Sequence, residues 1–265
     1  MPKFIAFFAA VGVLSEASVA LAEQGATNAK GDFVALNVAV SPPVAGTAKA
    51  PRGVAVSLDS FLGNRINGNT PSTNDTVVVR FNRGFKENLR RFPGCRINPT
   101  DYTVCPKSTQ VGTGTAEASI AGTSGAPPSF VPAQVVVYNG KPYNKSKAPT
   151  LIFIGSVNGA PLAELDFRVR QQPTGFYGLL FDDIGAAEFP SPTPAPTAPF
   201  TLTKFSVKIP DRTVTRRVRG KKVKVHLLEA PTTCRGSWKF AQTNTFTNAS
   251  PLTATDSQPC TRRRR

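Results

Sequence analysis

The chain's 265 residues carry 32 Lys and Arg against 16 Asp and Glu, a formal charge of +16, and hold one histidine, one tryptophan and one methionine. Its 24 prolines and 21 glycines are scattered between apolar stretches, which excludes a helical bundle and reads as many short strands joined by turns. A single histidine leaves little room for histidine-based metal or nucleophile chemistry, no segment reaches 18 consecutive apolar residues, and the charge excess points to anionic partners.

The chain opens as an export signal. Lys3 supplies a positive start, Phe4 to Leu14 form an apolar run too short to cross a bilayer, and Ala20-Leu21-Ala22 precedes Glu23 as a cleavage site. Residues 1–22 therefore read as a signal peptide, with the product secreted to the extracellular side or the cell surface. Lys3 and Glu16 cancel, so the exported chain keeps its full charge. Residues 23–32, small and polar, read as a flexible leader.

Alternation begins at Phe33. Strands are expected at Phe33 to Val40, Gly53 to Leu62, Thr76 to Phe81, Gln110 to Ile120, Ala133 to Tyr138 and Thr150 to Val157. More are expected at Leu162 to Arg170, Phe176 to Ile184, Thr201 to Ile209, Thr213 to Arg219, Lys222 to Leu228 and Ser237 to Phe246. Phe85 to Phe92 fits one short helical turn, and Gly112 and Gly114 fit a bulge or close sheet packing. Strands without helices between them imply antiparallel pairing, hence an all-β sandwich or jelly roll over residues 33–260. The Pro-rich stretch 189–199 is a long loop or a spacer. Only about 60 residues follow it, a thin independent core, so one continuous domain is favoured.

Cys95, Cys105, Cys234 and Cys260 all lie in the exported part, where an even count favours two disulfides. Three pairings are open; proximity along the chain favours Cys95 with Cys105 and Cys234 with Cys260. Neither spacing suits zinc, and no metal or cofactor is expected.

Arg212, Arg216, Arg217, Arg219, Lys221, Lys222 and Lys224 follow one another with no acidic residue between them, and Arg262 to Arg265 close the chain. A turn at Arg219-Gly220-Lys221 would make this a hairpin. Alternation would put Val223, Val225 and Leu227 on a packed face and Lys222, Lys224 and His226 on a cationic one. The strip is a candidate site for a polyanion such as an anionic cell-surface polymer or an acidic polysaccharide. It equally fits protection of a hairpin edge from pairing with other chains. No aromatic is interleaved to stack on bases, which argues against sequence-specific nucleic-acid binding.

Catalytic signatures are absent: there is no G-x-S-x-G elbow, no H-E-x-x-H and no phosphate loop, and His226 stands among lysines. The carboxylates that could serve a glycoside hydrolase are Glu164 with Asp166, on one strand face, and Asp182 with Asp183. Sugar-stacking candidates are Tyr102, Tyr138, Tyr143 and Tyr177, whereas Trp238 reads as core beside Cys234.

The run Thr76-Val-Val-Val-Arg-Phe-Asn-Arg-Gly-Phe85, then Cys95, then Cys105-Pro106 leading to Gln110-Val-Gly-Thr-Gly-Thr-Ala116, resembles a group of secreted actinobacterial β-sandwich proteins of no assigned activity. The likeness continues through Val137-Tyr-Asn-Gly140, Cys234-Arg-Gly-Ser-Trp238 and Pro259-Cys260. It implies export, an all-β fold and local disulfides, and transfers no catalytic residue; the basic hairpin stands outside its pattern. The sequence thus reads as a non-enzymatic, secreted structural or binding protein of the cell envelope, with a glycan-active hydrolase as the alternative.

Overall fold

The computed structural model describes residues 25–66, 70–98, 103–120, 129–142, 147–183, 200–218 and 220–262. The expected signal peptide, the Pro-rich stretch 189–199, Tyr102, Tyr143, Arg219 and Arg263 to Arg265 lie outside them. The strands are β1 (Ala26–Thr27), β2 (Asp32–Ser41), β3 (Ala55–Asn64), β4 (Asn74–Asn82), β5 (Lys86–Glu87), β6 (Gln110–Ile120), β7 (Ser129–Gly140) and β8 (Thr150–Val157). They continue as β9 (Ala160–Gln171), β10 (Tyr177–Asp183), β11 (Phe200–Ile209), β12 (Thr213–Val218), β13 (Lys221–His226), β14 (Leu228–Glu229), β15 (Ser237–Phe246) and β16 (Ala249–Pro259). Single 3-10 turns occupy Leu89–Arg91 and Lys107–Thr109.

Twelve strands form one antiparallel sheet in the order β1-β2-β3-β11-β6-β7-β8-β9-β10-β4-β15-β16. The antiparallel all-β expectation is met, as are both short-range disulfides, Cys95–Cys105 and Cys234–Cys260, with Cα atoms 5.4 and 5.9 Å apart. The pairing is one continuous, nearly closed sheet, so the two separate sheets of a sandwich or jelly roll are not seen. Strand β11, beyond the Pro-rich stretch, sits between β3 and β6, and β15 lies beside β4. Strands from both sides of that stretch share one sheet. Within the leader, Ala26 and Thr27 are not free but pair with Val34 and Phe33.

From β2 to β16 the sheet has eleven strands alternating in direction, so the first and last must run parallel. They meet side by side, and side chains replace the missing backbone ladder. Asp256 Oδ2 accepts from the Val38 N–H at 2.6 Å and Gln258 Oε1 from the Val40 N–H at 2.6 Å, while Gln258 Nε2 donates to the Val40 carbonyl at 2.9 Å. A parallel bridge between Val44 and Thr261 continues the seam. Edge donors that would otherwise invite a foreign strand are thereby satisfied.

One main core fills the inner side. Alternate residues Val34, Leu36, Val38 and Val40 of β2 face it, as do Trp238, Phe240 and Phe246 of β15. At its aromatic end Phe81 packs edge-on against Phe240 at 5.5 Å, and Phe85 against Trp238 at 5.2 Å. Trp238 shares this cluster with Cys234 and Cys260, as its position after Cys234 implied. The Gly112-Thr-Gly114 expectation also holds: register shifts between Gln110 and Gly112, and a Cβ on Gly114 would lie 2.0 Å from the Ser206 carbonyl oxygen. A second, small cluster of Cys95, Ile97 and Ile152 lies apart from the main core, with Cys105, Tyr138 and Ile154 against it. Leu151 and Phe153 belong to the main core, so Ile152, between them, faces the other way and is buried by the Cys95–Cys105 segment.

Candidate functional site

Leaving the large sheet at Ile209, the chain forms a separate two-stranded ribbon, β12 with β13, and returns at Leu227. Its foot is fastened from several sides. Leu227 N–H donates to the Arg212 carbonyl at 2.8 Å, and Asp211 Oδ1 lies 2.9 Å from His226 Nδ1. Asn88 donates through Nδ2 to the His226 carbonyl and to Glu229 Oε1. Gly53 must be glycine here, because a Cβ would stand 1.8 Å from His226 Nδ1. The lone histidine therefore anchors the ribbon. Gly220, at φ +80°, closes the turn between the paired Val218 and Lys221.

Cross-strand pairing sorts the ribbon's residues by face. Thr213/His226, Thr215/Lys224 and Arg217/Lys222 share one face; Val214/Val225 and Arg216/Val223 share the other, with Lys221. The separation of Lys222, Lys224 and His226 from Val223 and Val225 is as alternation implied. Packing of the apolar face is met at the foot, where Leu227 is buried in the main core, Val214 reaches it and Val225 is half-buried, and is corrected farther out, where Val223 is 40% exposed and Lys221 to Lys224 are all exposed. The ribbon has only two strands, and no described strand of the sheet packs on its outer half. Arg212 is also relocated, half-buried at the foot rather than on the strip. The free cluster is thus Arg216, Arg217, Lys221, Lys222 and Lys224, and no carboxylate of the described residues pairs with any of them.

One contact outside the sequence reading enlarges the site. Arg216 donates from Nε at 3.2 Å and from Nη2 at 2.6 Å to the Arg91 carbonyl, a bidentate hold that a lysine could not reproduce. This carbonyl ends the Leu89–Arg91 turn, whose exposed Arg90 and Arg91 join the basic surface. Glu87 Oε2 accepts the Leu89 N–H at 2.7 Å to start that turn. Burial pushes the Glu87 carboxyl up, opposed by that hydrogen bond and by the charge of Arg90. Arg90-Arg91 was visible as a dipeptide; its nearness to Arg216 was not.

The carboxylates have a different fate. Glu164 pairs with Ile154 and Asp166 with Ile152, so both acids share a face of β9, as expected, beneath the Cys95–Cys105 loop. Both oxygens of Glu164 are taken by Thr103, from its N–H at 2.7 Å and its hydroxyl at 2.6 Å. Asp166 is 6% exposed. Burial, the charges of Glu164 and Asp183, and a hydrogen bond to Glu164 push its carboxyl up to about 8. A buried acid beside one whose two oxygens are both occupied by Thr103 is not the open pair of carboxylates flanking a cleft that glycoside hydrolysis needs. Asp182 is ion-paired with Arg170. An open depression between the β1–β2 and β15–β16 turns, lined by Asn28, Lys30, Asn248 and Ser250, holds none of these acids.

Among the sugar-stacking candidates, Tyr138 and Tyr177 are half-buried, Tyr177 against Phe176 at 5.1 Å, and Trp238 is core. Burial pushes the Tyr177 hydroxyl up. Among the described residues no three His, Cys, Asp or Glu side chains gather as metal ligands, and no helix is long and apolar enough to cross a membrane. No protein-family model, curated protein or solved structure matches the chain.

Proposed function

We propose that this is an exported, non-enzymatic protein that binds an anionic polymer of the cell envelope through the β12–β13 ribbon. The observation that carries the reading is a ribbon outside the main sheet exposing five cations, with no carboxylate of the described residues paired to them. Like charges held together oppose folding, and among the described residues no carboxylate offsets them there, so the compensation comes from counterions or from a ligand that displaces them. The signal-like first 22 residues, the two disulfides and the motif likeness to secreted actinobacterial β-sandwich proteins support an extracellular setting. The hydrolase alternative draws on Glu164 and Asp166, and the burial of Asp166 together with the capture of both Glu164 oxygens by Thr103 counts against it.

The test is co-sedimentation of residues 23–265 with isolated cell envelopes across a salt series. The comparison protein has Arg216, Arg217, Lys221, Lys222 and Lys224 changed to Ser. Binding that weakens with salt and is lost in the variant is the expected result. Binding that the variant leaves unchanged would reduce the cations to protection of the ribbon's own edges.

A further inference from the structure

Resting on that reading, we infer that the ligand is a flexible single-chain polyanion that wraps the ribbon from its outer face onto the Leu89–Arg91 turn. A compact anion or a rigid duplex does not suit this surface. The cations lie on both faces of the ribbon, Arg217, Lys222 and Lys224 on one and Arg216 and Lys221 on the other. Paired strands are about 4.8 Å apart, so the ribbon is narrow enough for one bound chain to pass round it from the charges of one face to those of the other. They act as a single positive lobe. Arg216 joins its own face to the Arg91 carbonyl, which brings the exposed Arg90 and Arg91 into the same lobe.

A binder of flat surfaces would need only one charged face, and a compact anion could use only two or three of these seven cations. A two-stranded ribbon does have the width of a duplex major groove. Arg216, however, ties the ribbon to the body of the protein at the fourth of six residues of β12. The face that carries Arg216 thus lies against the body of the protein, and a rigid duplex could reach only the other face. A flexible chain meets no such obstacle and can pass around the free end. Thr213 and Thr215 are the other β12 residues on the outer face, with no aromatic to stack on a base or sugar ring, so the surface reads repeated charge.

The inference is tested by equilibrium binding of the exported chain to three probes at equal phosphate concentration: tripolyphosphate, long-chain inorganic polyphosphate and duplex DNA. Long-chain polyphosphate is expected to bind with a log–log salt slope of about −5, from seven cations at roughly 0.7 each. Tripolyphosphate should bind at least about 100-fold more weakly, because it can displace few counterions, and the duplex about tenfold more weakly. Arg90→Ser/Arg91→Ser should reduce the slope by about 1.4 and the affinity about tenfold. Because Arg90 also donates to the Lys147 carbonyl, Arg91→Ser alone serves as a second variant, with half the slope change expected.

Tripolyphosphate binding as tightly as the long chain, or the duplex binding more tightly, would overturn the inference. So would unchanged affinity in both Arg90 and Arg91 variants while Arg217→Ser/Lys222→Ser/Lys224→Ser abolishes binding; in that case the ribbon reading stands without the wrapping. Failure of every probe and of the envelopes would overturn both.

Discussion

The buried acid pair and the basic ribbon are both clusters of like charge, and they are maintained by opposite means. Glu164 and Asp166 lie under a disulfide-stapled loop, with Thr103 hydrogen-bonded to one and the other pushed up to about 8. The ribbon cations stand in water with no carboxylate of the described residues paired to them. A carboxyl can shed its charge by taking a proton, whereas a guanidinium cannot lose its own and a solvated ammonium does not do so at neutral pH. The acid pair can therefore be covered and used as part of the fold. The cations must stay solvated, which keeps them available to a partner.

The largest expected effect breaks the acid side of this contrast. Above about pH 3.9 an unfolded chain releases the Asp166 proton, whereas the folded chain holds it up to about 8. The folded state binds more protons across that window, so stability falls as pH rises, by about 1.4 kcal/mol per unit at most, and levels off above 8. Asp166→Asn removes this dependence. The variant should match the wild type near pH 4 and exceed it by a few kcal/mol at pH 8, read from urea unfolding at both values. An unchanged pH slope would mean that Asp166 is not held protonated.

Next in size is removal of the cover. Cys95→Ser/Cys105→Ser frees a short loop and should cost about 2 to 4 kcal/mol. It also exposes the face of Ile152 and Asp166 to water, so the decline in stability between pH 4 and 8 should flatten. If the pH dependence survives reduction of this disulfide intact, the loop is not what buries the acid.

The sequence made the strands of strong alternation legible, along with the disulfide pairs, the core role of Trp238 and the face sorting of Lys222, Lys224 and His226. It did not reveal β16. Ala249-Ser-Pro-Leu-Thr-Ala-Thr-Asp-Ser-Gln-Pro259 buries Leu252 and Ala254 in the core and packs Ala249 against it, and a strand so polar is recognisable only by its partner β15 and the seam with β2. Asp256 and Gln258 serve as substitutes for backbone groups, a use that leaves no periodic trace. The burial of Glu164 and Asp166 was hidden for a related reason: alternation placed them on one face, but the loop that covers it is held by a disulfide and by Thr103, both non-local. Likewise Arg91 meets Arg216 across 125 positions of chain.

The smallest expected effect tests the cation side. If Arg217, Lys222 and Lys224 make no contact that holds the fold, then Arg217→Ser/Lys222→Ser/Lys224→Ser removes only mutual repulsion. Repulsion between solvated charges reaches about 30 Å at 0.01 M salt and about 3 Å at 1 M. The variant should therefore be slightly more stable than the wild type at low salt, within the ~0.5 kcal/mol common for surface substitutions, and indistinguishable at 1 M. Thermal unfolding at the two salt concentrations measures the difference. A variant less stable at both would show that these side chains support the ribbon, and the contrast with the buried acids would fail. A gain confined to low salt would mean that their clustering opposes folding in the free protein, as expected of charges kept for a ligand.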